Sequence, residues 1–260
     1  MSILTLALGI GANTAIFGVV NGILLKALPY PDPDRVVGLW HTAPGIAGLN
    51  GNLGMSPSMY FTYREQGQAF QALGLWNVGG AAISGVAEPE QVQTLFMTNG
   101  VLNALNVAPA LGRWFSESDT QQGAPETVIL FHGYWQRRLG GDSNVIGRTL
   151  NIDNKARTVI GVMPENFRFL NFAQAQIILP QQFDRSKVFL GNFSYQGLAR
   201  LKPGVSMEQA NADIARLLPV WLDEWPAPPG FSKKLFADAH LGAAVQPLKQ
   251  EVVGNIGDVL

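Results

Sequence analysis

Cysteine is absent from all 260 residues, which excludes a disulfide framework, a thiolate zinc site and a thiol nucleophile. Histidine is nearly absent: His41, His132 and His240 are the only ones. None lies within metal-motif spacing of another, and neither HExxH nor GxSxG is present. Charged residues make up 14% of the chain and the net charge is −1, against an average charged fraction of about 25%. No basic face is available to neutralise phosphates, so nucleic acid is not expected as a partner. A GxxxxGK[ST] loop is also missing, so the chain does not hydrolyse ATP in the P-loop manner, and no cofactor is expected.

What the sequence does contain is one long uncharged run. Ser2 to Leu25 carries no charged side chain, and Lys26-Ala27-Leu28-Pro29-Tyr30-Pro31-Asp32-Pro33 ends it abruptly. A helix rises about 1.5 Å per residue, so about 20 mostly apolar residues cross a hydrocarbon core of about 30 Å. Residues 1–28 are therefore expected to form a transmembrane helix. Two blander readings stand beside it. A secretory signal peptide would carry Lys or Arg ahead of a shorter apolar core, which Met1-Ser2 does not supply. A buried helix of a soluble protein would accommodate Asn13 and Asn21. Gly11, Ala15, Gly18 and Gly22 recur at spacings of four, three and four, with Gly18 to Gly22 a GxxxG; such small residues let membrane helices approach closely. Gly9-Ile10-Gly11-Ala12-Asn13-Thr14 lacks the third glycine and the preceding strand of a dinucleotide loop. Pro29, Pro31 and Pro33 restrict φ where the chain leaves this helix, and suit a stiff connector that passes helix tilt onward. A plain surface loop is the alternative.

The remainder reads as α+β. Arg35 to His41 is a strand by its apolar run, and Ser56-Pro57 starts a helix with an N-cap and a proline at the first helical position. Tyr60, Tyr63, Phe70 and Leu73 recur near the helical period through Arg64-Glu65-Gln66. Ala72 to Ile83 and Gln91 to Thr98 predict a hairpin, and Val101 to Leu105 a short helix, which gives the order βαββα. Thr127 to Phe131 is a buried strand and Gly133 to Leu139 a helix closed by Gly140-Gly141. Arg148 to Ile152 and Arg157 to Val162 flank the turn Asp153-Asn154-Lys155 and should pair. Gln176 to Pro180 and Ser194 to Leu201 are further strands. Ser206-Met207-Glu208-Gln209 resembles a capping box opening a helix through Trp221. Two lobes are expected, with residues 120–185 inserted between 29–119 and 186–260.

Several blocks together carry a resemblance: Ala7 to Phe17, Leu28 to Val36, Gly112 to Phe115, Val145 to Leu150, Val159 to Pro164 and Ala199 to Ser206. They look like the MacB-type periplasmic core region of FtsX-like ABC transporter permeases, most of all the acidobacterial-type orphan permeases. The blocks occur in family order along nearly the whole chain. The resemblance implies a porter-like α/β lobe carrying an inserted strand-rich lobe, and a non-catalytic role in transmitting movement or handling substrate. It further implies a place in the bacterial inner membrane with the bulk of the chain periplasmic. The partners it implies are the membrane, the remaining permease helices and a separate ABC ATPase subunit where one exists, with a homodimer among the assemblies it allows. Family members continue into further membrane helices, whereas this chain stops at Leu260, close to where the second would begin, and starts without the usual basic segment. It therefore looks like a truncated permease piece.

Two other function classes need weighing. For an enzyme, Glu117 with Asp119, or Asp223 with Glu224, could form a carboxylate pair, but Glu117-Ser118-Asp119 follows an aromatic pair in a polar turn, where a solvated loop explains it. Trp135-Gln136-Arg137-Arg138 could bind an anion, or simply be a helix with a basic outer face. No catalytic residue is nominated. For a membrane-anchored ligand- or protein-binding module without transport, Trp76, Trp114, Trp135, Trp221 and Trp225 could line an apolar groove, although core burial is the commoner fate of tryptophan.

Overall fold

The computed structural model describes residues 28–49, 51–85 and 88–250. The expected spanning helix at 1–28, with Gly11, Ala15, Gly18 and Gly22, lies outside the described residues except for Leu28. Among the described residues no helix is long and apolar enough to cross a membrane.

The first part has the order anticipated. Strand β1 (Val36–Thr42) leads to helix α1 (Pro57–Gln66). The Ser56 side chain accepts from the Met59 amide, and Pro57 occupies a first-turn position that needs no donor. The helix stops at Gln66, and Phe70 opens strand β2 (Phe70–Ser84) rather than continuing the helical stripe. The Asp213 carboxylate fixes this change of direction by accepting from the amides of Gln68 and Ala69. Strand β3 (Glu90–Met97) pairs antiparallel with β2 from Trp76↔Met97 to Ile83↔Glu90. Helix α2 (Asn99–Leu105) follows and ends on Asn106 in the left-handed conformation.

The middle part contains β4 (Leu111–Gly112), β5 (Thr127–Leu130), α3 (His132–Leu139), β6 (Thr149–Ile152), β7 (Lys155–Val162) and β8 (Ile177–Pro180). The β6–β7 hairpin turns on Asp153 and Asn154 with φ of 54° and 60°, the mirror-image turn that matches the twist of paired strands. Next come β9 (Gln196–Leu201) and α4 (Met207–Glu224), whose capping box of Ser206 and Gln209 is formed as expected. Three elements have no forecast in the sequence: the two-residue β4, α5 (Lys233–Asp238) and β10 (Gly242–Pro247). Gly-Ala-Ala-Val-Gln-Pro has almost no strand signature. It is extended because β1 offers it a ladder from Val37↔Pro247 to Thr42↔Gly242. On its far side Asn211 of α4 accepts from the Val245 amide at 3.0 Å and donates to the Val245 carbonyl at 3.5 Å.

All ten strands among the described residues belong to one sheet, in the order β10-β1-β9-β2-β3-β8-β5-β7-β4, with β6 bridging β2 and β7. Strand β2 is its spine. Its first half pairs with β9, its second with β3 and its last two residues with β6. Alternation along the strands feeds separate cores. Val37 and Ala199 face a core under α1 and α4 with Met59, Tyr63, Ile214 and Trp221. Val36 and Leu198 face another with α2, Trp76, Met97 and Phe169. A third core gathers Val128, Tyr134, Leu150, Val159 and Leu179 around the hairpin tip residues Ala81, Ile83 and Val92.

Helix α2 lies against β2 at a distance only glycine permits. A β-carbon on Gly100 would come within 1.8 Å of the Leu73 carbonyl oxygen, and one on Gly74 within 2.4 Å of the Val101 nitrogen. Gly100→Ala must push the helix off the sheet, and thermal denaturation should register a loss of about 1–3 kcal/mol. A second prediction concerns acid. His41 is fully buried with Nε2 2.9 Å from the Tyr63 hydroxyl. Burial lowers its pKa from 6.5 to about 4, the Gly54 backbone working against that shift. The unfolded chain takes up a proton that folded His41 refuses, so stability falls as pH drops from 6.5 to about 4 and this contribution levels off below. The full effect is about 3 kcal/mol. Urea denaturation across that window checks it, and His41→Gln should flatten the His41 part of the profile.

Candidate functional site

The connector is fastened to the rest of the molecule by side-chain hydrogen bonds to distant parts of the chain. Asp32 stands between Pro31 and Pro33 with φ 46°, and Pro33 begins a single 3-10 turn ending at Arg35. The proline rings leave this stretch little conformational freedom, yet its position is set by side chains from elsewhere. Arg200, in the apolar strand Gln196–Leu201, is almost fully buried. Its Nη2 donates to the Pro31 carbonyl at 2.7 Å and its Nε to the Ala104 carbonyl at 2.7 Å, with longer contacts of 3.4 Å to the carbonyls of Asp32 and Leu105. The carbonyls of Ala104 and Leu105 end α2, where no further turn supplies amides. One guanidinium therefore satisfies the helix end and holds the connector. Burial, and then repulsion from Arg35, lower the Arg200 pKa, with the Asp32 carboxylate opposing; a guanidinium stays charged through such a shift. Arg35 adds a second tie through Nε and Nη2 to the Leu201 carbonyl at 3.0 and 2.7 Å.

Tyr30 carries the connector to the other side of the molecule. Its hydroxyl donates to the Arg168 carbonyl at 2.8 Å and accepts from the Leu170 amide at 3.0 Å. Burial raises its pKa to about 12, the Leu170 amide opposing, so the hydroxyl keeps its proton and both bonds at neutral pH. The ring packs with Phe167 and Phe169 in the core that also holds Trp76. Of the prolines expected to form the connector, Pro31 supplies the carbonyl to Arg200 and Pro33 the turn, while Pro29 is exposed beside Tyr30.

The other sequence candidates disperse. Glu117 pairs with Arg64, whereas Asp119 binds Arg113 at 2.6 Å and closes a capping box with Ser116. Burial would raise the Asp119 carboxyl, but Arg113 and Ser116 outweigh it and hold it below the ordinary range. Glu224 lies 3.4 Å from Arg185, while the Asp223 carbonyl accepts from Lys233. Arg185 lies over the stacked pair Phe61 and Trp225, 4.9 and 5.0 Å from their ring centres, and also pairs with Glu65. His41 is buried, His132 sits against Trp135 and His240 occupies a turn with φ 48°. Among the described residues no group of three or more His, Cys, Asp or Glu could hold a metal ion. The tryptophans line no common groove. Trp76 belongs to one core and Trp221 and Trp225 to another. The indole of Trp114 donates to the Val107 carbonyl, that of Trp135 to Asp142, that of Trp221 to Ser58 and that of Trp225 to Thr62. What the arrangement offers chemically is hydrogen-bonded attachment. Tyr30 and Arg200 escaped the sequence reading, although an arginine inside an apolar strand is a usable signal, since a buried cation requires acceptors.

Solved structures share this architecture. A domain described as that of a permease protein from Porphyromonas gingivalis superimposes with a TM-score of 0.55 at 18% identity, over 84% of this chain and 92% of that one. The periplasmic region of MacB from Actinobacillus actinomycetemcomitans gives 0.56 at 13% identity, over 86% and 93%. At such identities the likeness is one of fold. No curated protein matches the sequence. The family described as the MacB-like periplasmic core domain matches residues 1–217. Fold and family match agree, and the chain belongs to the MacB-like periplasmic core domain family.

Proposed function

We propose that this chain is the extracytoplasmic coupling domain of an ABC-type transporter permease, anchored in the bacterial inner membrane by a single helix over residues 1–28. Gly11, Ala15, Gly18 and Gly22 pack that helix against the remaining permease helices, and a separate ATPase subunit supplies the energy from the cytoplasmic side. The connector of Pro29, Pro31 and Pro33 passes movement of the helix outward. MacB-like periplasmic core domains are non-catalytic parts of such permeases, which supports the reading.

The observation that carries it is the double anchoring of the connector. Arg200 ties Pro31 to the central strands, and Tyr30 ties the same few residues to the 168–170 loop. A loop that merely left the bilayer would need neither. In this reading residues 29–119 and 186–260 form a porter-like lobe and 120–185 the inserted lobe. The core under α1 and α4 and the core around Tyr134 support that division, whereas the core of Trp76 and Phe169 draws on both parts, and the hairpin tip at Ala81, Ile83 and Val92 joins them as well.

The Leu170 amide is the reporter for the test, since it donates directly to Tyr30. In the full-length chain in membranes, Tyr30→Phe should speed hydrogen exchange at Leu170 about tenfold. Replacing the prolines at 29, 31 and 33 with Gly-Ser should do the same; an unchanged Leu170 rate in that variant would count against a stiff connector. Arg200→Met leaves the carbonyls of Pro31 and Ala104 without donors and should cost about 2 kcal/mol or more in thermal denaturation. Carbonate-resistant membrane association, with activity of a periplasm-dependent reporter fused after Leu260, checks the anchoring helix.

A further inference from the structure

Eight of the eleven arginines lie within 4 Å of a carboxylate; among the described residues Arg137, Arg148 and Arg168 do not. Two of those three, Arg137 and Arg168, line one cavity of about 620 Å³ between α3, β3 and the loop that follows β7. That volume falls within the range of small-molecule sites, about 300–1,000 Å³. Both guanidiniums are positioned by neutral acceptors. Arg137 Nη2 donates to Gln176 Oε1 at 2.7 Å, and Arg168 Nη1 donates to the carbonyls of Glu165 and Phe167 at 2.7 and 2.8 Å. Neutral acceptors fix the geometry and leave the charge unbalanced, and Glu165 is the single carboxylate-bearing residue in the wall. The neighbouring Arg138 is already engaged with Glu90 at 2.6 Å. Gln93 Oε1, in the same wall, is buried with no hydrogen-bond partner.

We propose that this cavity binds a small organic anion, its carboxylate or phosphate held by Arg137 and Arg168. Charge-assisted bonds from planar guanidiniums favour these two anionic groups over neutral oxygens. The proposal does not depend on membrane anchoring or on a transmitting connector, since the cavity is built wholly from described residues after Ser84.

Isothermal titration calorimetry of the full-length chain with succinate, inorganic phosphate and neutral succinamide tests it. Succinate or phosphate should bind saturably with a Kd below about 10 mM, and which of the two binds tighter identifies the anionic group. Arg137→Gln and Arg168→Gln should each weaken binding by about tenfold or more. Arg148→Gln, an exposed and equally unpaired arginine outside the cavity, should leave it unchanged. Equal binding of succinamide, no saturable binding of either anion, or equal weakening by Arg148→Gln would overturn the assignment. Both cavity arginines are solvent-exposed, so unaltered thermal denaturation of the variants separates lost binding from lost fold.

Discussion

A single buried guanidinium, that of Arg200, is the constraint on which the arrangement around the connector depends. Burying an unpaired cation is prohibitive, so its environment must supply acceptors. The nearest carboxylate, Asp32, is 3.9 Å away and largely exposed, which makes it a weak partner. The short bonds go instead to main-chain carbonyls of Pro31 and Ala104. Those groups come from three parts of the chain that are distant in sequence, and they can meet in one place only. The close approach of α2 to β2 at Gly74 and Gly100 then follows, because the helix end must reach the arginine.

The seams between the parts of the molecule differ in kind. The β2–β3 hairpin crosses from one core to another as continuous strand, and separating it would expose apolar side chains at roughly 25 cal/mol per Å². Tyr30 and Arg185 act differently. Each makes polar contacts between the parts, Tyr30 from a buried position and Arg185 from a half-exposed one, worth about 1 kcal/mol apiece. Arg185 adds aromatic stacking on Phe61 and Trp225. Strands therefore keep the parts together, while side chains worth only a few thermal units set their relative pose.

Local signals in the sequence were legible where a short motif has one structural answer. Ser56-Pro57 began α1, Ser206 to Gln209 capped α4 and Asp153-Asn154 turned the β6–β7 hairpin. The βαββα order followed from such signals together with periodicity. Strand β10 was not legible, because its conformation comes from β1 and Asn211 rather than from its own residues. The helical stripe through Phe70 and Leu73 was misleading for a related reason: Asp213, far along the chain, captures two amides and ends the helix. The prolines of the connector were readable, but the partners of Tyr30 and Arg200 lie about 140 and 170 residues away. Nor could the chain distinguish Arg137 from Arg138. Adjacent positions on a helix point in different directions, and only the fold decides which one meets Glu90.

The attachment of Asn211 to Val245 bears on how this protein meets other copies of itself. An open strand edge is a template for another chain, which needs a donor and an acceptor at every second residue. On the outer side of β10, Asn211 already occupies both groups of Val245, and Pro247 has no amide to give. Ala243, two residues before Val245, is the remaining position on that side of the strand. At the opposite margin β4 is only two residues long, too short to seed a ladder. With both margins of the ten-stranded sheet blunted, an edge-to-edge route to aggregates is closed within the described residues. Copies of this domain can crowd together without their sheets fusing, and an assembly of them is made through other surfaces.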